Sequence, residues 1–262
     1  MRAPEAGWVS ASTLGAAAAG TGLVATFAVL QARRRHPLMR LGIFHAPNLA
    51  AANVAQLMLG AAWIPMFFFV NLYLQQVLHL GAFASGAALL PLTVTIMIGM
   101  IAVAPRLIAH YGPKTLTVAG LATLAGGLVW LSFVGPDGSY IVDVFPATLV
   151  TAAGMAMAFI PSLGTALSAA PPSEGGLAAG IVNTSYQIGS ALGLAAMTAV
   201  AAAFGSNTVA ETAGLTDGFD AALLGAAAIA AVGAVLAARL LKRTPATPES
   251  ASSSESSEPA FA

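Results

Sequence analysis

Residues 48–74 read NLAAANVAQLMLGAAWIPMFFFVNLYL, an apolar run without one charged side chain. A helix needs about 20 mostly apolar residues to cross the hydrocarbon core of a bilayer. This run is long enough. Its apolar residues are continuous rather than alternating, so it reads as a spanning helix and not as a strand of a membrane barrel. Pro65 lies inside it. In water that proline would argue for a break. In a bundle the neighbouring helices satisfy the freed carbonyl, and a kinked span is the better reading.

The same test, carried outward, finds six further stretches at 11–31, 82–104, 115–134, 141–168, 177–204 and 219–240. Pro91, Pro146 and Pro161 read as kinks for the same reason. Composition agrees. Of 262 residues, 58% are hydrophobic and 8% are charged, against about 25% charged in an ordinary soluble domain. So little polar surface could not cover a soluble globule. The fold class that follows is an all-α integral membrane protein with seven transmembrane helices. Ten Lys and Arg balance ten Asp and Glu. With no basic excess to neutralise phosphates, nucleic acid is not an expected partner, whereas membrane lipid is. The chain has no cysteine, which removes disulfides, thiolate metal sites and cysteine nucleophiles together.

Basic residues orient the spans, because Lys and Arg concentrate in cytoplasmic loops. Arg33, Arg34 and Arg35 follow the first apolar run, whereas a signal peptide carries its charge before it. With that cluster inside, Arg40, Arg106, Lys114, Arg239, Lys242 and Arg243 also fall inside, and of the ten basic residues only Arg2 falls outside. The expected layout is a multi-pass protein of the plasma (cell inner) membrane, N-terminus outside and C-terminus cytoplasmic. Residues 244–262, TPATPESASSSESSEPAFA, are expected to form a disordered cytoplasmic tail. A retinal-binding reading fails, since neither Lys114 nor Lys242 lies within a span.

No Asp, Glu, Lys or Arg sits at the middle of any span; Asp143 and Asp220 lie just inside outer ends. Uncharged polar groups are uneven. Asn53 and Gln56 share a face of the second span with Gly60, and Asn183 and Gln187 share a face of the sixth with Gly176, Gly180 and Ser190. The fourth and seventh spans have almost none beyond Ser and Thr, so they are expected to face lipid. The second and sixth are expected to face a bundle interior or a wet cavity. Each amide could serve either as interhelical glue or as a cavity group, and the sequence leaves both open. Gly176 with Gly180, and Gly189 with Gly193, are small-xxx-small pairs that suit close helix packing.

Chemistry is otherwise missing. Residues 112–115, GPKT, are too short for a phosphate-binding loop, and there is no G-x-S-x-G and no H-E-x-x-H. His36, His45, His79 and His110 lie singly at loops and helix ends, without metal-ligand spacing. No catalytic, metal or cofactor site is expected, and nothing supports an enzyme.

Three segments resemble the C-terminal half of the fourteen-span drug:proton antiporter branch of the major facilitator superfamily. Residues 71–78 (NLYLQQVL) with 86–92 (GAALLPL) resemble that branch's link between its ninth and tenth spans. Residues 106–114 (RLIAHYGPK) resemble the second-half copy of the superfamily's cytoplasmic loop motif, with Gly112 and Lys114 retained. Ala109 stands where the motif has its aspartate, His110 at its first arginine and Pro113 at the next. Residues 176–189 (GLAAGIVNTSYQIG) are similar to the branch's thirteenth span.

The resemblance implies that the seven spans match the eighth to fourteenth of the family. Residues 1–31 would be a partial linker and eighth-span equivalent, 42–243 a six-helix transporter half, and 244–262 a tail. It further implies proton-coupled efflux of small amphipathic molecules or drugs by alternating access, powered by the proton gradient without a cofactor. A missing N-terminal half would act in cis or in trans. Asn53, Gln56, Asn183 and Gln187 would line the substrate cavity; Arg106, Gly112 and Lys114 would belong to the cytoplasmic gate. The alternatives are a non-transporting membrane fragment and one chain of a split transporter.

Overall fold

A computed structural model describes residues 48–205 and 212–242, together with positions 15, 18–23, 25, 26, 29 and 30. The chain divides into two units, Met1–Ala46 and Pro47–Ala262. In the first, the described positions are helical and exposed, and the Thr26 hydroxyl donates to the Gly22 carbonyl at 2.7 Å. Nearly half of the expected span at 11–31 lies outside the described residues, as does the whole of the expected tail at 244–262.

Among the described residues of the second unit there are 6 helices long and apolar enough to cross a membrane, and no strand. They are α1 (Leu49–Gln76), α2 (Ala82–Tyr111), α3 (Pro113–Leu131), α4 (Tyr140–Ala169), α5 (Gly175–Phe204) and α6 (Thr212–Leu240). Short connections make successive spans antiparallel. Arg106, Lys114, Arg239 and Lys242 therefore collect at one end of the bundle, and Asp137, Asp143, Asp217 and Asp220 at the other.

α2 is jointed. It runs as α-helix over Ala82–Ala88 and Leu90–Ile98, widens to a π-helical turn over Gly99–Val103, and resumes over Ala104–Tyr111. At the wide turn the Ala104 N–H bonds to the Gly99 carbonyl five residues back. Pro105, with no N–H, follows it directly. Across the break before Leu90, the Tyr140 hydroxyl of α4 donates to the Ala88 carbonyl. Gly112, at φ 78, separates α2 from α3 with a backbone that L side chains rarely adopt.

α1 forms the centre: Leu49, Leu59, Met66 and Leu74 are all 0% exposed. It packs on α5, α6 and α4, and α3 packs on α4 and α6. Lipid is as apolar as leucine, so close backbone approach rather than hydrophobicity drives helix pairing. A Cβ at Gly189 would overlap the Leu57 carbonyl, and one at Gly193 the Ala61 carbonyl. The ends of α1 and α6 meet in a clasp. Asn48, at φ 70, accepts from the Lys242 N–H at 2.7 Å and donates to the Lys242 carbonyl at 3.3 Å.

The fourth and seventh spans, α3 and α6, do keep exposed apolar faces at Val129, Trp130, Leu224, Val232 and Val235. Yet 50% and 44% of their apolar cores are buried, while α2 and α5 bury only 17% and 28%. Ala222, Ala226, Ala230 and Ala237 let α6 sit close to its neighbours. Around Gly176 and Gly180, expected to serve helix packing, nothing described lies within 4 Å of a Cβ built on either.

Candidate functional site

The four candidate cavity amides fall into two settings. Asn53 and Gln56 are buried, at 8% and 0% exposure. Asn183 and Gln187 are exposed on α5.

Asn53 is fully engaged. Its Nδ2 donates to the Leu49 carbonyl at 2.9 Å, and its Oδ1 accepts from the Ser185 hydroxyl of α5 at 2.9 Å. Gln56, one turn on, reaches the other way. Its Nε2 donates to the Phe159 carbonyl at 3.1 Å and to Ser162 Oγ at 3.0 Å, both on α4. Its Oε1 is buried without a partner among the described residues. The Phe159 ring meets the Tyr186 ring of α5 edge to face, with centroids 5.8 Å apart. A polar junction thus ties α1 to α4 and α5. Sequence reasoning finds its two amides and misses Ser162, Ser185, Phe159 and Tyr186. Ser185 was within reach, lying between Asn183 and Gln187. Ser162, placed just after Pro161, gives its role away only once α4 is set against α1.

The open face of α5 carries Gly176, Gly180, Asn183, Thr184 and Gln187, all exposed, before turning apolar at Ile188 and Leu192. The Thr184 hydroxyl is spent on the Gly180 carbonyl of its own helix. The side-chain amides of Asn183 and Gln187 stand without a hydrogen-bond partner among the described residues. Removing an amide from water without a partner is costly. This face therefore calls for water or for polar groups of another body. α2 presents a second exposed surface, with Leu90, Met97, Ile98 and Ile101 uncovered.

Arg106, Gly112 and Lys114 bracket the turn between α2 and α3. Arg106 is exposed and its guanidinium donates to the Ala102 carbonyl of its own helix. Gly189 and Gly193 serve packing, as above. At the acidic end, a small cavity among Phe69, Tyr73, Val144 and Phe219 is touched by Asp220. Asp143 accepts from the Ser139 N–H at 2.7 Å and so braces the start of α4. No group of three or more His, Asp or Glu side chains is placed to hold a metal ion among the described residues.

Residues 3–194 match the family described as Major Facilitator Superfamily. Over 85% of its length the chain is 31% identical to the cephamycin export protein CmcT of Amycolatopsis lactamdurans, covering 46% of that protein. It is 29% identical to the puromycin resistance protein pur8 of Streptomyces alboniger, over 75% of this chain and 39% of the relative. Similarity to the multidrug efflux pump LfrA of Mycolicibacterium smegmatis is 28% identity, over 78% of this chain and 41% of the relative. The chain spans about half the length of these curated relatives.

Proposed function

The chain belongs to the major facilitator superfamily, and from that membership we propose that it is the C-terminal part of a proton-coupled exporter of small amphipathic molecules or drugs, working by alternating access. Residues 42–243 form the transporter half, 1–31 contribute an eighth-span equivalent, and 244–262 extend into the cytoplasm. The protein sits in the cell membrane with its N-terminus outside. A second set of spans, on the same or another polypeptide, completes it.

The observation that carries this reading is the open face of α5. Asn183 and Gln187 stand exposed in a span whose mean hydropathy reaches 1.5. Lipid cannot satisfy those amides, whereas a water-filled cavity between two halves can. Similarity to proteins named for exporting cephamycin or multiple drugs supports the same conclusion. Uncharged polar groups beside the Phe159 and Tyr186 rings suit a bulky ligand with polar edges. The proton gradient supplies the energy, and Arg106, Gly112 and Lys114 belong to the cytoplasmic gate.

The test is export of a fluorescent lipophilic cation from cells, with and without an uncoupler. Cells would make the 262-residue chain alone, or together with a polypeptide carrying the remaining spans. Uncoupler-sensitive export only in the second case is expected. Export by the chain alone would overturn the need for a second half, and no export in either case would favour a non-transporting membrane protein.

A further inference from the structure

Gln56 makes one half of its possible hydrogen bonds and not the other. Its amide nitrogen has two acceptors on α4, while Oε1, fully buried, has no donor among the described residues. Most buried polar atoms in folded proteins are paired. An orphaned acceptor raises the free energy of the conformation that holds it. Asn53, three residues earlier on the same helix, satisfies both ends of its amide. The junction is therefore settled toward α5 and unsettled toward α4.

The mechanical setting has the same asymmetry. α1 and α5 are locked at close range: Gly189 and Gly193 lie under the Leu57 and Ala61 carbonyls, and Gly60 lies under the Tyr186 carbonyl. α4 is weakened beside Gln56. Pro161 offers no N–H, so the Met157 carbonyl loses its helical donor. The Ser162 hydroxyl bonds back to the Ala158 and Phe159 carbonyls, and Thr165 Oγ1 bonds back to the Pro161 carbonyl at 2.7 Å. Such back-bonding bends helices. The Ser162 hydroxyl already touches the Gln56 amide through Oγ.

We propose that Gln56 is a positioning residue in a two-state joint between α1 and α4, in which its orphaned Oε1 gains the Ser162 hydroxyl as donor when α4 turns about Pro161. In the described arrangement Ser162 donates within its own helix and Gln56 Oε1 goes without. In the other, Ser162 releases the Ala158 and Phe159 carbonyls and donates to Oε1, while Nε2 keeps the Phe159 carbonyl. α1 and α5 move together, and α4 swings against them. The place of this joint in a transport cycle rests on the function proposed above; the joint itself does not.

The test compares two near-isosteric apolar replacements in the purified full chain, with thermal unfolding and amide hydrogen exchange as readouts. Gln56→Met removes the orphan and leaves no new one, because the Ser162 hydroxyl still donates to Ala158. Its melting temperature is expected to rise by roughly 2–4 °C, and exchange at the Ser162–Thr165 amides to slow several-fold as the second state is depopulated. Asn53→Leu breaks a satisfied pair, and its melting temperature is expected to fall. If Gln56→Met instead lowers the melting temperature, speeds exchange or prevents folding, Gln56 is static glue and the proposal is overturned. No transported molecule enters either readout, so an error in the transport reading would not mimic this result.

Discussion

The side chain of Asn48 holds both backbone groups of Lys242, although 194 positions separate them: its Oδ1 takes the N–H and its Nδ2 gives to the carbonyl. One amide thereby imitates the pairing of a strand and joins the first and last helices of the six. Asn48 can do this because asparagine tolerates the left-handed backbone found there, at φ 70. Asn48→Gly should lose the clasp alone, at a cost of about 1 kcal/mol. Asn48→Ala should cost more, because alanine also resists that backbone. Thermal unfolding of the two variants would separate the terms, and equal losses would mean that backbone conformation contributes nothing.

The glycines of α5 divide into two classes. Gly193→Ala should destabilise the protein by about 1–3 kcal/mol, since the new methyl meets the backbone of Ala61 rather than a movable side chain. Gly180→Ala, with open space around it, should be neutral or slightly stabilising, because alanine favours the helix. The melting temperatures of the pair would check this. A large loss at Gly180 would place another body against that face.

Tyr140 is the pin between α4 and the break in α2. Tyr140→Phe keeps the ring against Phe145, where the centroids are 6.0 Å apart, and removes only the bond to the Ala88 carbonyl. A loss of about 1 kcal/mol is expected. Protease cleavage near Ala82–Ala88 should rise in step, whereas cleavage at the α5–α6 connection should not change.

The chain carries no cysteine, so single cysteines can be placed without background. Gln187→Cys, on the open face of α5, should react with a water-soluble maleimide several-fold faster than Leu224→Cys, on the exposed apolar face of α6. Equal, slow labelling would show that the α5 face meets lipid instead of water.

The spans are legible in the sequence because bilayer thickness alone sets their length. Their ends are less so. α2 continues to Tyr111, beyond the expected end at 104, because Pro105 and Arg106 look like a loop and yet occupy a helix turn permitted by the wide π segment. Asn53 and Gln56 are visible as polar residues in an apolar run. Their partners Ser185 and Ser162 lie on other helices, and no spacing within one span encodes a contact between spans. Burial of α6 is hidden for a similar reason. Its alanines are neither polar nor large, and their smallness gains meaning only against α1 and α3. The four candidate amides look alike in sequence, and tertiary packing alone sends two inward and two outward.

The π turn at Gly99–Val103 has one more consequence. A wide turn holds one residue more than the α-helix would use for the same advance. Everything after it is wound forward by about 100° relative to an unbroken helix. The azimuth of Arg106 and His110 is thus decoupled from that of Leu90–Ile98. Loss of a single codon at Ile101 would swing both basic side chains to a different side of the bundle, while the preceding segment kept its seat. The orientation of this loop is therefore set by one surplus residue buried in the span, and changes of sequence in the loop itself can leave it untouched.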